Sequence, residues 1–188
     1  SSDLGLDGLL AVPEVADVVA VLRVLGDATA NPDVVRILTG PRWAIGPTDL
    51  ATLGRRAREL AGEVPPEPGR TPQQEIAAII DQTQAAQAPS LAEALSDLGE
   101  GPYTAAGRER LTRCGRELSA LRAHVGAPVT DLVRRVITVL GVEVELAMRG
   151  PHGTRQLDAF VAQVAGYADV DGDGSLPGLL GWLNAEQE

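Results

Sequence analysis

The sequence contains no lysine. All sixteen basic residues among its 188 residues are arginine. A P-loop uses the lysine of G-x-x-x-x-G-K-[ST] to reach the β- and γ-phosphates of a nucleotide. Schiff-base enzymes also require a lysine amine. Both kinds of catalytic site are therefore excluded for this chain.

Cysteine and histidine are almost as scarce, with Cys114, His124 and His152 as the complete set. A single cysteine cannot form an internal disulfide, and Cys114 falls on the apolar stripe of a predicted helix, which favours a core residue over a nucleophile. The two histidines lack other ligand types at metal-binding spacing, and no serine or cysteine lies in a nucleophile elbow. We therefore predict no catalytic residues, no metal site and no bound cofactor.

Aromatic residues make up only 3% of the chain, so its core must consist of leucine, valine, isoleucine and alanine. No apolar run reaches the ~18 residues needed to span a bilayer, and no signal peptide opens the chain. We accordingly predict a cytoplasmic location without a membrane partner. The hydrophobic fraction of 44% is that of a globular protein, and the net charge is −10.

The rest of the sequence has the pattern of an all-α protein. Helix starts are marked by Asn31 before Pro32 and by T-x-x-Q and S-x-x-E capping boxes that begin at Thr71 and Ser90. Apolar residues recur at helical spacing, most clearly in the stripe of Val129, Leu132, Val133, Val136, Ile137 and Leu140. We predict a single compact multi-helix domain over residues 1–188, with a common core that includes Leu53, Val133, Ile137 and Leu180.

Three segments need separate interpretation. PEVADVVAVLRVL, residues 13–25, is rich in β-branched residues that favour strands, but its length and its Pro-Glu start favour a central buried helix. GVEVELAM, residues 141–148, is the one other strand-like segment, and we favour a helix there as well. EVPPEPGRTP, residues 63–72, has the composition of a proline-rich surface linker.

The segment DVDGDGS, residues 169–175, is similar to the beginning of an EF-hand calcium loop. Asp169, Asp171 and Asp173 take the first three ligand positions, but position 12, which requires a bidentate glutamate, is Leu180. We therefore favour an acidic turn between two helices that ends in a helix cap at Ser175. A calcium-regulated helical protein is kept only as a third alternative.

The segment GPRWAIGPTDL, residues 40–50, predicts a tight turn between two helices, the second of which begins near Pro47. Backbone N–H groups at a helix N-terminus attract phosphate. From Arg36 to Arg58 there are five arginines and one aspartate, so this segment carries +4 and the remainder of the chain −14. A basic segment on an acidic chain indicates an anionic partner. The alternative is a helical hairpin whose arginines are solvated or paired with Glu59 and Glu63.

The order of these segments resembles the accessory 2B subdomain of UvrD/Rep/PcrA-type superfamily 1 DNA helicases. In that family an E-x-x-D-x-x-x-x-L-R helix and a short helix precede a P-x-R-G-I-G-x-x-[TS]-L hairpin. The matching residues are Glu14, Asp17, Leu22, Arg23, Pro41, Ile45, Gly46 and Leu50. The closing segments LDAFVAQVAGYA and SLPGLLGWLNAEQE resemble the end of the same subdomain, whereas residues 63–125 are only generically similar. The details are most like those of the actinobacterial helicase–nuclease members, the AdnAB type.

This resemblance implies an excised fragment of a longer enzyme, whose ends adjoin the 2A core subdomain. The fragment would be a regulatory subdomain of an ATP-dependent DNA helicase, and ATP and Mg would bind in the parent enzyme rather than here. Its partners would be duplex DNA, bound weakly and without sequence preference ahead of the fork, and the helicase core subdomains of the parent chain.

The resemblance also implies which residues contact the DNA backbone through a helix-hairpin-helix-like element. These are Arg42, Trp43, Ala44, Ile45, Gly46, Thr48 and Arg55. The family's G-I-G is Ala44-Ile45-Gly46 here, and Trp43 takes the place of the family's arginine. Because alanine permits a less close approach than glycine, we expect the phosphate contact at Gly46 to be the one retained. The alternative function is a helical protein-interaction scaffold without DNA contact.

Overall fold

The computed structural model describes residues 4–63, 69–81 and 88–188. These residues form eleven α-helices and no strand, which confirms the predicted all-α class. In chain order the helices are α1 (Leu6–Leu10), α2 (Pro13–Gly26), α3 (Asn31–Thr39), α4 (Pro47–Leu60), α5 (Pro72–Asp81), α6 (Leu91–Ser96), α7 (Ala105–Arg122), α8 (Val129–Leu140), α9 (Val142–Met148), α10 (Arg155–Asp171) and α11 (Leu176–Ala185). Half of the predicted linker, residues 64–68, lies outside the described residues.

The helices form two compact units. Unit 1 consists of Ser1–Gly26 together with Ala120–Glu188, and unit 2 consists of Asp27–Ser119. Leu53 is therefore buried in unit 2, whereas Val133 and Ile137 are buried in unit 1; Leu180 is only partly buried. Helical periodicity identifies the buried face of each helix but not which helices share a core, so a single common core stays a prediction.

In unit 1, α2 occupies the central position that its apolar sequence predicted. It packs against α1, α8, α10 and α11. Val15, Val18 and Leu22 are completely buried in it. The strand-like segment GVEVELAM forms α9, as expected. In α2 the β-branched residues are accommodated in a helix because tertiary burial outweighs their weak intrinsic preference for strands.

The acidic segment of unit 1 differs from the prediction. Asp169 and Asp171 belong to the last turns of α10, which continues to Asp171, so the turn is shorter than expected. Hydrogen bonds from the Ser175 hydroxyl and from Ser175 N, the latter at 3.0 Å, lower the pKa of the Asp173 carboxyl group. The Ser175 side chain caps α11 by accepting from Gly178 N at 3.2 Å, as the sequence predicted.

In unit 2, α4 packs against α5 and α6. Gly54 permits the close approach of α5, because a Cβ added there would collide with Ile79. The capping boxes at Thr71 and Ser90 are confirmed by hydrogen bonds from Gln74 N and Glu93 N. Asn31 is not the cap of α3 but its first residue; its buried side chain instead bonds to Pro89 O and Leu91 N.

Candidate nucleic-acid interface

Seven residues, 40–46, connect α3 to α4 in a tight turn within unit 2. Ala44 N donates to Gly40 O at 2.8 Å, and Ile45 N donates to Leu38 O at 2.9 Å. Trp43 and Ile45 are 4% and 5% exposed, so their side chains anchor the turn in the core. Any contact of these two residues with DNA must therefore be made by their backbone. The helix-hairpin-helix-like interpretation of this element stays a prediction.

Ala44 has an unusual backbone conformation. Its φ of 46° is the one positive value at a non-glycine residue in the described part of the chain. Left-handed backbone favours glycine, because a Cβ clashes with the neighbouring carbonyl. Ala44 stands where the resembling helicase family has the first glycine of G-I-G. The turn therefore has the backbone conformation that a glycine at this position would adopt without strain.

The N-terminus of α4 presents backbone donors to solvent. Gly46 is the N-cap in extended conformation and offers no side chain to cap the helix. The first intrahelical bond of this end is Leu50 N to Gly46 O at 3.0 Å. Across the described ranges, no acceptor is present for Gly46 N, Thr48 N or Asp49 N, and Gly46 and Thr48 are exposed. Pro47, at the first helical position, has no N–H to leave unpaired.

The carboxylate of Asp49 turns away from this exposed end. Asp49 is 7% exposed and accepts hydrogen bonds from Thr104 N at 2.7 Å and from Thr104 Oγ1 at 2.6 Å. Thr104 Oγ1 in turn accepts from Gly107 N in the first turn of α7. A Cβ added to Gly107 would collide with Asp49 Oδ2. The negative charge is thus used to join α4 to α7.

Two arginines of the basic segment form ion pairs with acidic residues. Arg56 contacts Glu59 at 3.0 Å and Asp97 at 2.8 Å. The buried Arg58 lies 2.8 Å from Glu75 and 3.7 Å from Glu63. The alternative in which arginines pair with Glu59 and Glu63 is therefore correct for these two residues. The local charge of +4 counted along the sequence overstates the positive charge available to a ligand.

Arg55 and Arg42 remain close to the turn. Arg55 is exposed and donates to Thr52 Oγ1 at 3.1 Å, so its side chain extends towards the N-terminus of α4. Arg42 Nη2 lies 2.6 Å from Glu117 Oε1, and the Arg42 guanidinium carbon lies 5.1 Å from the centre of the Trp43 ring. Both cations are thus fixed by neighbours without being buried.

Helix α7 supplies residues that the sequence analysis did not select. Arg110 Nη1 donates to Trp43 O at 2.9 Å and to Ala44 O at 3.2 Å, so it holds the two carbonyls of the turn. Arg113 is exposed and lies three residues after Arg110 and four before Glu117, hence on the same face of α7. The i, i+3, i+7 spacing of these charged residues was visible in the sequence, but their contact with a turn some 67 residues away was not.

Cys114 is buried in α7, in agreement with its predicted core position. Burial, with a smaller contribution from the nearby Glu117 carboxylate, raises the pKa of its thiol to about 12. The thiol is therefore protonated near neutral pH and is a poor nucleophile.

Unit 1 offers a different kind of surface. A groove of about 530 Å³ lies beside α8, and its lining includes Leu121, His124, Arg134 and Arg135. Val144 and Met148, four residues apart on α9, are 71% and 84% exposed. None of the residues predicted to bind DNA lies in this unit.

The described ranges contain neither a metal-ligand cluster nor a membrane-spanning helix. No group of three or more histidine, cysteine, aspartate or glutamate residues is placed to hold a metal ion in them. No helix in them is both long and apolar enough to cross a membrane. No protein-family model matches the chain, and no curated protein matches it at a significant level.

Proposed function

We propose that this chain is an accessory subdomain of an ATP-dependent DNA helicase of the UvrD/Rep/PcrA type, and that the turn before α4 binds the phosphate backbone of duplex DNA. The observation that carries the proposal is the uncapped start of α4. Gly46 and Thr48 are exposed there, and their N–H groups have no acceptor among the described residues. Backbone donors in this arrangement, at the positive end of a helix, bind anions.

The cations around the turn complement these donors. Thr48 and Arg55 are seven residues apart on α4 and therefore share one face. The Arg55 side chain extends along that face towards Thr52 and the start of the helix. A phosphate bound by the N–H groups of Gly46 and Thr48 would thus lie near the Arg55 guanidinium, which carries a permanent positive charge.

This arrangement supports binding to the backbone rather than to bases. N–H groups and arginines at a turn contact phosphate oxygens, which carry no sequence information directly. Unit 2 has ten arginines and thirteen acidic residues, a net charge of −3, so repulsion weakens its binding to DNA. With about three phosphates contacted, log K should fall with log salt concentration at a slope of roughly −2.7. ATP and Mg are assigned to the core of the parent enzyme.

Substitution of Arg55 tests the proposal. Arg55→Ala removes a guanidinium whose one described contact within unit 2 is the Thr52 hydroxyl, so the fold should be retained. We expect its affinity for a labelled 25-base-pair duplex of mixed sequence, measured by fluorescence anisotropy at low salt, to fall about threefold to tenfold. Its salt slope should be shallower by about 0.9.

The matched control is Arg134→Ala, which removes the same charge from an exposed position on α8 in unit 1. It should leave the affinity almost unchanged. Equal losses in both variants would indicate a general charge effect and would count against a site at the turn.

A second candidate function is a helical protein-interaction scaffold. The observation that favours it is the exposure of Val144 and Met148 on one face of α9, because clustered exposed apolar residues mark interaction surfaces. This function should replace DNA binding if wild-type protein and Arg55→Ala behave alike towards duplex DNA while Met148→Glu abolishes association with a protein partner.

A further inference from the structure

We propose that the Glu117 carboxylate occupies a phosphate-binding position on Arg42, and that a phosphate of duplex DNA displaces it and binds between Arg42 and Arg113. The inference rests on the proposed function of the turn and extends its binding surface to α7. Glu117 would then limit the affinity of the turn for DNA in the unbound protein.

Arg42 is held in place from two sides. Its Nη2 lies 2.6 Å from Glu117 Oε1, and its guanidinium lies 5.1 Å from the centre of the Trp43 ring. Trp43 is 4% exposed and therefore forms a fixed apolar support. A guanidinium can bind a carboxylate or a phosphate with the same planar set of donors while its face stays on an aromatic ring. Loss of the Glu117 contact would thus leave Arg42 positioned for another anion.

The Glu117 carboxylate can be displaced from Arg42 at little cost. The Arg42 and Glu117 side chains are 35% and 31% exposed, so water and salt screen their attraction. Pairs of this kind contribute little to stability. The buried carboxylate of Asp49, by contrast, has two hydrogen bonds from Thr104 and joins α4 to α7. Of these two acidic side chains near the turn, Glu117 is the one that can move without disrupting the core.

Two arginines of α7, Arg110 and Arg113, lie on the same face of the helix as Glu117. Arg113 precedes Glu117 by four residues and is exposed, so the two side chains are neighbours on the helix surface. Arg110, on the same face, is engaged by the carbonyls of Trp43 and Ala44 and fixes the turn against α7. An anion in the position of the Glu117 carboxylate therefore has Arg42 on one side and Arg113 within reach.

The experiment compares Glu117→Gln with Glu109→Gln in the full chain. Glu109 is an exposed residue of the same helix, so both variants remove one negative charge, but only Glu117→Gln releases Arg42. We expect Glu117→Gln to bind a labelled 25-base-pair duplex about threefold to fivefold more tightly than Glu109→Gln at low salt. The salt slopes of the two variants should be similar, because the same phosphates are contacted once the duplex is bound.

A double substitution shows whether the gain passes through Arg42. In an Arg42→Ala background, Glu117→Gln should bind no more tightly than Glu109→Gln. Arg113→Ala should remove most of the gain of Glu117→Gln. A lower melting temperature of Glu117→Gln together with weaker duplex binding would identify Glu117 as a structural anchor of the turn and would overturn the inference.

The outcomes also separate this inference from the proposed function. If the wild-type chain binds duplex DNA and Glu117→Gln equals Glu109→Gln, the inference is wrong and the function stands. If neither the wild type nor Glu117→Gln binds the duplex at low salt, both are wrong.

Discussion

Ala44 is the residue at which the backbone of the turn is under strain. Its φ of 46° places a Cβ in the left-handed region, which costs about 1–2 kcal/mol for a non-glycine residue. The strain is maintained because Trp43 and Ile45, on either side, are both buried and the turn is closed by bonds to Gly40 O and Leu38 O. The position thus requires a conformation that its own residue type does not favour.

Replacement of Ala44 with glycine should therefore stabilise the protein. The relief of strain exceeds the extra conformational entropy that glycine has in the unfolded chain, so we expect Ala44→Gly to raise the free energy of unfolding by about 0.5–1 kcal/mol. Urea denaturation followed by circular dichroism would measure it. The control is Ala77→Gly, in the middle of α5 and exposed, which should lower the stability by about 1 kcal/mol. Equal losses in both variants would contradict the strain at Ala44.

Among the helices, the connection between α4 and α7 depends on one buried carboxylate. Asp49 accepts two hydrogen bonds from Thr104, and Gly107 leaves the space that the carboxylate fills. Asp49→Ala should lower the free energy of unfolding by about 1–3 kcal/mol, because the backbone N–H and the hydroxyl of Thr104 lose their charged acceptor.

The close contact between the Asp49 carboxylate and Gly107 leads to a second prediction. Gly107→Ala should cost about 1–3 kcal/mol in the wild type, where the new Cβ collides with the Asp49 carboxylate. In the Asp49→Ala background the same substitution should cost less, because the collision with the carboxylate is gone and only the close approach to Thr104 Oγ1 remains. A double-mutant cycle measures this coupling. Strictly additive effects would show that the two residues do not share this contact.

The helices themselves were largely predictable from the sequence, but their partners were not. The capping boxes at Thr71 and Ser90 act locally, within three residues, and were found where predicted. The ion pair of Arg56 with Asp97 and the hydrogen bonds of Arg110 with the turn join residues 41 to 67 positions apart. Such contacts depend on how helices pack, which periodicity does not specify. The same limit explains why the basic segment was overestimated and why α7 was missed as part of the candidate interface.

At the scale of the whole molecule, each of the two units has its own net charge and its own buried residues. Unit 1 has six arginines and thirteen acidic residues, a net charge of −7, against −3 for unit 2. The core of unit 1 includes Val133 and Ile137, and that of unit 2 includes Leu53. The less acidic unit is the one that contains the turn proposed to bind DNA.

A core substitution in unit 1 should have a large effect on stability. Ile137 is 2% exposed, and Ile137→Ala should lower the free energy of unfolding by ~2–5 kcal/mol through lost burial and the cavity left behind. Val144→Ala, at a position 71% exposed on α9, should change it by less than about 0.5 kcal/mol. Urea unfolding of both variants would check this, and an Ile137→Ala variant as stable as the wild type would contradict the assigned core.

Gly46→Ser tests the proposed function most directly, because stability and binding should change in opposite directions. A Cβ at Gly46 meets no atom within 4 Å, so serine fits the fold. Its hydroxyl should accept from Thr48 N or Asp49 N, which stabilises the helix start by a few tenths of a kcal/mol. The same bond removes a donor from the proposed phosphate site.

The measurement is the duplex affinity of Gly46→Ser at low salt, alongside its melting temperature. We predict a melting temperature equal to or above that of the wild type and an affinity for duplex DNA reduced about threefold or more. An unchanged affinity in a folded Gly46→Ser variant would contradict the claim that the start of α4 binds the DNA backbone.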